Sequence, residues 1–246
     1  MERAARVGRE GGAGYARVLP VGQTGYDALA WAAGVGSHGI GPADADAFMA
    51  TVGGDGGWAL LTLHRAALAA NARGLLATVR AVIEGCAANG LRLVWATHPR
   101  VAQDPRHAEA LALVRHAGRV VDPIGYRAMA RLLLHPGLAS ARPAAVFTDS
   151  GGLAEEAALA GVPLLVLRPS TERAELLAAY PERCRIAWPG GMGVAPAVAA
   201  TLRVGTERTP TEALAGNPYI LDGRSPSRMA AQAIVDYLSN GYGMRE

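Results

Sequence analysis

From Trp58 onward, short apolar runs alternate with amphipathic stretches along the chain. WALLTL (58–63), LRLVWAT (91–97), AAVFTD (144–149) and VPLLVL (162–167) are almost wholly apolar. Parallel strands look like this because both faces of their sheet are covered. RVVD (119–122) and CRIAW (184–188) read as two further strands. Between the strands, helices are predicted over 67–88, 105–117, 126–134, 151–160, 171–179 and 195–202, and an amphipathic helix over 225–238 closes the chain. Pro105 suits a helix start. This alternation predicts an α/β fold, a Rossmann-like, doubly wound parallel sheet with right-handed crossovers. Such sheets bind ligands beyond the carboxyl ends of their strands, so the chemistry is expected in the strand-to-helix loops.

Before Trp58 the rhythm is different. Residues 1–20 are rich in Gly, Ala and Arg without a clear period and read as a loose arm. Within 21–57, YDALAWAA (26–33) predicts a short helix with Thr24 as its N-cap. A Gly-rich connection, one more turn over 45–52 and the break GGDGG (53–57) follow. The expected division is therefore arm 1–20, helix and linker 21–57, and lobe 58–246. Tyr26, Leu29, Ala30 and Ala33 form one apolar stripe; Met229, Ala230, Ala233, Ile234 and Tyr237 lie on the closing helix. These predict a contact surface for a second copy or a partner, unless the arm or the sheet covers them.

Composition narrows the field. Half of the 246 residues are hydrophobic and only 5% are aromatic, a profile that suits an α/β layer fold. The net charge is +3 and every basic residue other than histidine is arginine, for which a GC-rich genome is the plainer explanation. The arginines are scattered with no interleaved aromatics, which argues against nucleic acid as partner. A small positive excess suits an anionic ligand. Cys86 and Cys184 lie far apart in apolar stretches and read as buried free thiols rather than metal ligands. The start of the chain lacks the apolar core of a signal peptide, and no apolar run reaches membrane-spanning length. A cytoplasmic, reduced protein is expected, with no membrane partner.

The sharpest chemistry lies in AAVFTDSGGLAEEAALAGVPLLVLRPSTER (144–173). A buried strand ends at Asp149, and Ser150, Gly151 and Gly152 turn straight into a helix. Paired glycines let a ligand approach the backbone, and free N–H groups at a helix start favour an anion. Ser150 adds a hydroxyl that can cap the helix or bond a phosphate. Glu156, farther along that helix, is placed to accept from vicinal hydroxyls, and Arg173, opening the next helix, can reach a diphosphate as a bidentate donor. Taken alone, the turn is equally a tight strand-to-helix connection with solvated charges. Glu155 and Glu156 are neighbours on a helix and point to different sides, so spacing does not make them a catalytic pair. His38 falls in a Gly-rich linker and reads as solvated. His107, His116 and His135 lie on or after helices and read as surface residues.

TDSGGLAEEAALAGVPLLVLRPSTER resembles the TDSGG-x-x-EE…G-x-P…R-x-x-TER block of the non-hydrolysing UDP-N-acetylglucosamine 2-epimerases. LLTLHR (60–65) resembles the strand that ends in T-G-H-R, which puts His64 at the family's active-site histidine. THPRV (97–101) resembles an H-x-N-P segment and VVDPIGY (120–126) the D-P-x-x-Y loop near the uracil. NPYILDGRSPSRM (217–229) resembles the segment before the last helix, and VGQTGYDAL (21–29) the hinge helix between two lobes. The likeness runs from Val21 to the end of the closing helix. It implies that Ser150, Gly151, Gly152, Glu156 and Arg173 contact UDP, that His64 is catalytic, and that Arg65, His98 and Tyr126 stand behind them.

The family has two Rossmann-like lobes in a GT-B-type arrangement, and this sequence matches the hinge and the C-terminal lobe. Leu63 stands where the family has glycine, Ala66 and Ala67 where it has acidic and asparagine residues, Ile124 and Gly125 in the loop that carries a glutamine, and Met129 where it has an aromatic. The resemblance implies an isomerase of cell-surface polysaccharide biosynthesis that eliminates UDP to a glycal and adds it back at C2. It implies no metal and no redox cofactor. The acids of the N-terminal lobe are not visible here, so the chain alone is expected to turn over little or not at all, and a separate N-terminal lobe or a homo-oligomer is an expected partner. A non-catalytic UDP-sugar-binding or regulatory subunit and a GT-B glycosyltransferase lobe are the alternative readings.

Overall fold

The structure is a computed structural model that describes residues 19–34, 57–134, 142–204 and 223–239. The chain divides into two compact units, residues 29–217 and residues 1–28 with 218–246. The predicted turn at 45–52, the histidines at 38 and 135, and residues 217–222 of the 217–229 motif segment lie outside the described residues.

The larger unit is built on a six-stranded sheet, all of it parallel. Its strands are β1 (Trp58–Thr62), β2 (Arg92–Ala96), β3 (Gly118–Val121), β4 (Val146–Thr148), β5 (Leu164–Leu167) and β6 (Cys184–Ala187). They lie in the order β3-β2-β1-β4-β5-β6. The chain winds outward from β1 to β3, then returns to place β4 against the other side of β1. The carboxyl ends of β1 and β4 are therefore the topological switch point.

The inner strands are mostly apolar and buried because helices cover the sheet, whereas the edge strands β3 and β6 each carry an arginine and are only partly buried. Ala59, Leu61, Leu93, Trp95, Phe147, Leu165 and Leu167 share one core with α3 (Ala72–Ala88), α5 (Ala108–Ala117) and α9 (Val194–Leu202). Leu60, Val94 and Val146 fall in register on the opposite pleat and are also fully buried. Helices α6 (Tyr126–Leu134) and α7 (Gly151–Leu159) pack on each other, and α7 packs on β4 and β5. Arg142 is buried between them: its Nε donates to the Leu133 carbonyl at 2.8 Å and Nη2 to that of Ala160, so one guanidinium serves the last carbonyls of both helices.

On α3, Leu75, Val79, Val82 and Cys86 recur at helical spacing and are buried. Gly85 lies directly under Val198 of α9, where a methyl group would come within 2.3 Å of Val198 Cγ1. Farther up α3, Gly190 (φ +75°) rests on Gly74, and its N–H donates to Thr78 Oγ1 at 2.8 Å. A side chain at Gly190 would meet the Gly74 backbone at 2.6 Å.

Several boundaries differ from the sequence expectation, each for a local reason. The stretch predicted as one helix over 67–88 is two, α2 (Ala66–Ala69) and α3, because the Asn71 side chain accepts from Gly74 N at 2.9 Å and starts a new helix. A short α4 (Pro99–Ala102) precedes the predicted 105 start, capped by His98, whose Nδ1 accepts from Arg100 N at 3.1 Å. Pro105–His107 is a 3₁₀ turn against α3 and α5. That turn directs His107 inward, so it is buried at 1% exposure, against the surface role read for it; His116 is exposed as expected. Arg173 caps α8 (Ala174–Ala179), so that helix begins later than 171. Cys86 and Cys184 are buried free thiols, as expected, and burial pushes both up to about 12.

In the smaller unit, Asp27 near the start of α1 (Thr24–Ala32) accepts from Ser225 Oγ at 2.9 Å and Ser227 N at 2.7 Å, which anchors the first turn of α10 (Pro226–Ser239). Thr24 is the first helical residue rather than the cap; the Gln23 side chain accepts from Gly25 N instead. On α10, Ile234, Val235, Tyr237 and Leu238 are exposed. Of the first predicted stripe, Leu29 and Ala33, which belong to the larger unit, are buried.

Candidate functional site

At the switch point, β1 runs out into His64 and β4 into Asp149. Asp149 is 1% exposed, and its burial is balanced by donors from the other strand. His64 N donates to both carboxylate oxygens at 3.0 Å, and Arg65 N to Oδ2 at 2.8 Å. His64 Nδ1 lies 3.2 Å from Oδ1. A carboxylate on Nδ1 fixes the ring's orientation and leaves Nε2 as the nitrogen free for a ligand. Arg100 Nη1 donates to the His64 carbonyl at 3.1 Å, and the His98 ring stands 5.9 Å from the His64 ring.

Beneath this, Thr62 and Thr148 join β1 to β4 through a 2.6 Å hydroxyl contact, and Thr148 Oγ1 accepts from Ser150 N at 3.0 Å. Ser150 is the N-cap of α7, with its Oγ 3.4 Å from Leu153 N. The cap takes only one of the helix's leading N–H groups. Gly152 has open space where a side chain would stand, so an anion can approach the backbone there.

Two sets of charged groups border the turn. A methyl group on Gly151 would lie 3.2 Å from Glu172 Oε1, 3.7 Å from Arg65 Nη2 and 4.0 Å from Arg168 Nη1. Glu172 pairs with Arg168 at 2.8 Å and with Arg65 at 3.7 Å. On the next face of α7, Glu155 Oε1 lies 2.5 Å from Arg173 Nε as an ion pair without hydrogen-bond alignment. Burial, then the neighbouring Glu155 charge, pushes the Glu156 carboxyl up to about 7. Tyr126, half exposed at the head of α6, has its hydroxyl pKa raised by burial and then by the Glu156 charge.

Past Tyr126, a cavity of about 600 Å³ opens at the carboxyl ends of β2 and β3, lined by Thr97, Leu111, Val120, Asp122, Ile124 and Ala128 among others. Met129 is buried and is not among the residues that line it. The fold thus gathers His64, Arg65, Ser150 and Gly151 at one point; Glu156 lies farther along α7, Arg173 at the start of α8 reaches Glu155 of that helix, and Tyr126 stands at the head of α6. Asp149, Arg100, Arg168 and Glu172 carry no role in the sequence expectation. Asp149 sits inside the TDSGG string and Arg168 and Glu172 inside R-x-x-TER, so the motif held them; what it lacked was the pairing across β1, β4 and β5. Among the described residues, no three His, Cys, Asp or Glu side chains are grouped as metal ligands, and no helix is long and apolar enough to cross a membrane.

A parallel sheet of this order, with its polar groups at the switch point, defines a Rossmann-like lobe of the GT-B type. The structure of UDP-N-acetylglucosamine 2-epimerase from Neisseria meningitidis, bound to UDP-N-acetylglucosamine, superposes with a TM-score of 0.66 at 21% identity, covering 88% of this chain and 55% of that one. The chain belongs to the UDP-N-acetylglucosamine 2-epimerase family, whose model matches residues 2–232. That match reaches into the first twenty residues, ahead of the Val21 limit drawn from motifs. The Methanocaldococcus jannaschii UDP-N-acetylglucosamine 2-epimerase is 30% identical over 131 residues, 52% of this chain and 34% of the relative. The Pseudomonas aeruginosa UDP-2,3-diacetamido-2,3-dideoxy-D-glucuronate 2-epimerase is 33% identical over 162 residues, 66% of this chain and 40% of the relative. Their matched regions thus amount to less than half of each curated relative's length.

Proposed function

We propose that this chain is the UDP-binding lobe of a UDP-N-acetylglucosamine 2-epimerase. Its diphosphate rests on Ser150, Gly151 and Gly152, with Arg173 beside it, and Glu156 accepts from the ribose hydroxyls. His64 faces the reacting end of the sugar diphosphate, with Arg65 and His98 around it. Tyr126 and the cavity beyond it receive the base. The observation that carries this reading is the buried Asp149, which draws His64 against an open helix N-terminus at the switch point. The relatives named above differ in their sugars and share UDP and the position of epimerisation, which favours the UDP end as the common element.

In the elimination, the C–O bond from C1 to the diphosphate breaks as a proton leaves C2, and the returning diphosphate adds to the glycal with C2 inverted. This lobe supplies the sink for the diphosphate charge: preformed N–H dipoles and guanidinium groups stabilise the departing oxygens more than the bound ester. A complementary lobe supplies the acids that exchange the C2 proton. The setting we assign is the cytoplasm, in the making of cell-surface polysaccharide. The test is a calorimetric titration with UDP, expected to show weak binding, alongside an epimerisation assay, expected to show almost no turnover by this chain alone. No UDP binding at millimolar concentration overturns the reading. The substitutions Leu63, Ala66 and Ala67 beside His64 favour a second reading, a UDP-sugar-binding regulatory subunit; it predicts UDP binding with no turnover in any mixture with the complementary lobe.

A further inference from the structure

Arg168 follows β5 directly, and its guanidinium turns toward the start of α7. Its side chain is 17% exposed. Nη2 holds Glu172 at 2.8 Å, while Nη1 is buried with no hydrogen-bond partner. A buried charged donor without an acceptor is uncommon and costly. Nη1 stands 4.0 Å from the methyl position on Gly151, beside the turn where the helix N–H groups emerge.

The acceptor in the seat itself is Glu172. Its Oε1 lies 3.2 Å from the same methyl position, nearer than either guanidinium. Arg168 hydrogen-bonded to it, together with its own backbone N–H, holds this carboxyl down at about 2, so it is an anion at any working pH. Yet the Glu172 side chain is 47% exposed and its second contact, to Arg65, is long at 3.7 Å. The carboxylate is thus free to leave, whereas the more buried Arg168 is not.

Resting on the UDP reading above, we infer that Arg168 is a further diphosphate-binding residue, and that Glu172 is a built-in anion that occupies Arg168 and Arg65 until the diphosphate displaces it. The anion site is then filled in either state: by the protein's own carboxylate when empty of ligand, and by phosphate oxygens when loaded. Competition of this kind lowers apparent affinity by the fraction of molecules in which the seat is closed. It also reverses the usual sign of a site mutation, because removing this polar group tightens binding.

Calorimetric titrations of the wild-type chain, Glu172→Gln, Arg168→Gln and Glu175→Gln with inorganic pyrophosphate and with UDP test it. Glu172→Gln keeps the size of an exposed side chain, so its fold is safe, and a circular dichroism melt checks the Arg168 variant. Glu172→Gln is expected to bind both ligands about threefold to tenfold more tightly. Arg168→Gln is expected to bind both about tenfold more weakly. Glu175→Gln removes the same charge three residues along the chain and is expected to change little. If Glu172→Gln binds no more tightly than wild type, or Glu175→Gln gains as much, the inference falls while UDP binding by the wild type keeps the nucleotide reading. If pyrophosphate binds with the expected order and UDP binds no better than pyrophosphate, the anion seat stands and the uridine reading falls. If neither ligand binds any variant, both fall.

Discussion

The two ends of the candidate site are built on different principles. At the β1–β4 junction, Asp149, the Thr62–Thr148 pair and the Ser150 cap tie polar groups to one another across strands. At the ends of β2 and β3, a cavity of about 600 Å³ is walled by apolar side chains, by Thr97 and Arg115, and by the loop from Asp122 to Gly125. The first end is fixed by strand pairing, because Thr62 and Thr148 pair across β1 and β4, and His64, Arg65, Asp149 and Ser150 follow directly from those strands. The second is shaped by a loop, and its lining mixes apolar side chains with Thr97, Arg115 and Asp122. A charged ligand end gains from the first arrangement, since dipoles fixed in advance need no reorganisation on binding.

The difference can be broken most sharply at Asp149. Asp149→Ala strands the His64 and Arg65 amides and frees the imidazole. We expect a loss of about 2–4 kcal/mol in unfolding free energy, measured by denaturant titration, because buried donors lose their acceptor. A change below about 1 kcal/mol would show that the junction is not held by this carboxylate. Next is Arg173→Ala, expected to weaken UDP binding by about 1.5–3 kcal/mol if the guanidinium makes a charged hydrogen bond to the diphosphate. Uridine, which lacks the phosphates, should bind the variant and the wild type alike; an equal loss for uridine would place Arg173 at the base end.

The smallest effect concerns the group between the two ends. Glu156 has its carboxyl raised in the folded chain from 4.5 to about 7. Its protonated form is favoured by folding, so its contribution to stability is fully present below about 4.5 and is lost as the pH rises through about 7. Glu156→Gln should flatten the stability profile across that window and raise stability at pH 8 by on the order of 1 kcal/mol. A steeper profile in the variant would contradict this sign.

How far the sequence carries depends on whether an element is defined by its own residues. The four inner strands are legible from their apolar runs, and the strand-to-helix turn at Ser150 from its paired glycines, because both are local. The break at Asn71 was hidden inside an alanine-rich stretch, where one side-chain cap outweighs the periodicity of its neighbours. His107 looked like a surface residue because the turn that buries it is set by Pro105 and by packing on α3 and α5. Likewise, motif likeness supplied Ser150, Glu156 and Arg173 but not the Arg65–Glu172–Arg168 bridge, whose extreme members, Arg65 and Glu172, are 107 residues apart. Such pairings depend on strand order, and strand order is not written in any one segment.

The contact between Gly190 and Gly74 has a consequence for how the molecule reaches its structure. The hydrogen bond from Gly190 N to Thr78 Oγ1 spans 112 residues of chain, and α9 covers the same helix at Gly85. The first crossover helix therefore cannot complete its packing until the last strand and its helix arrive. Contacts of such long sequence separation carry a loop-closure cost and slow the search for the native state. During synthesis, α3 waits with part of its apolar stripe uncovered while a hundred residues follow, the interval in which such chains are most prone to stick to one another. A side chain at Gly190 would hold that interval open, because the two backbones could no longer meet.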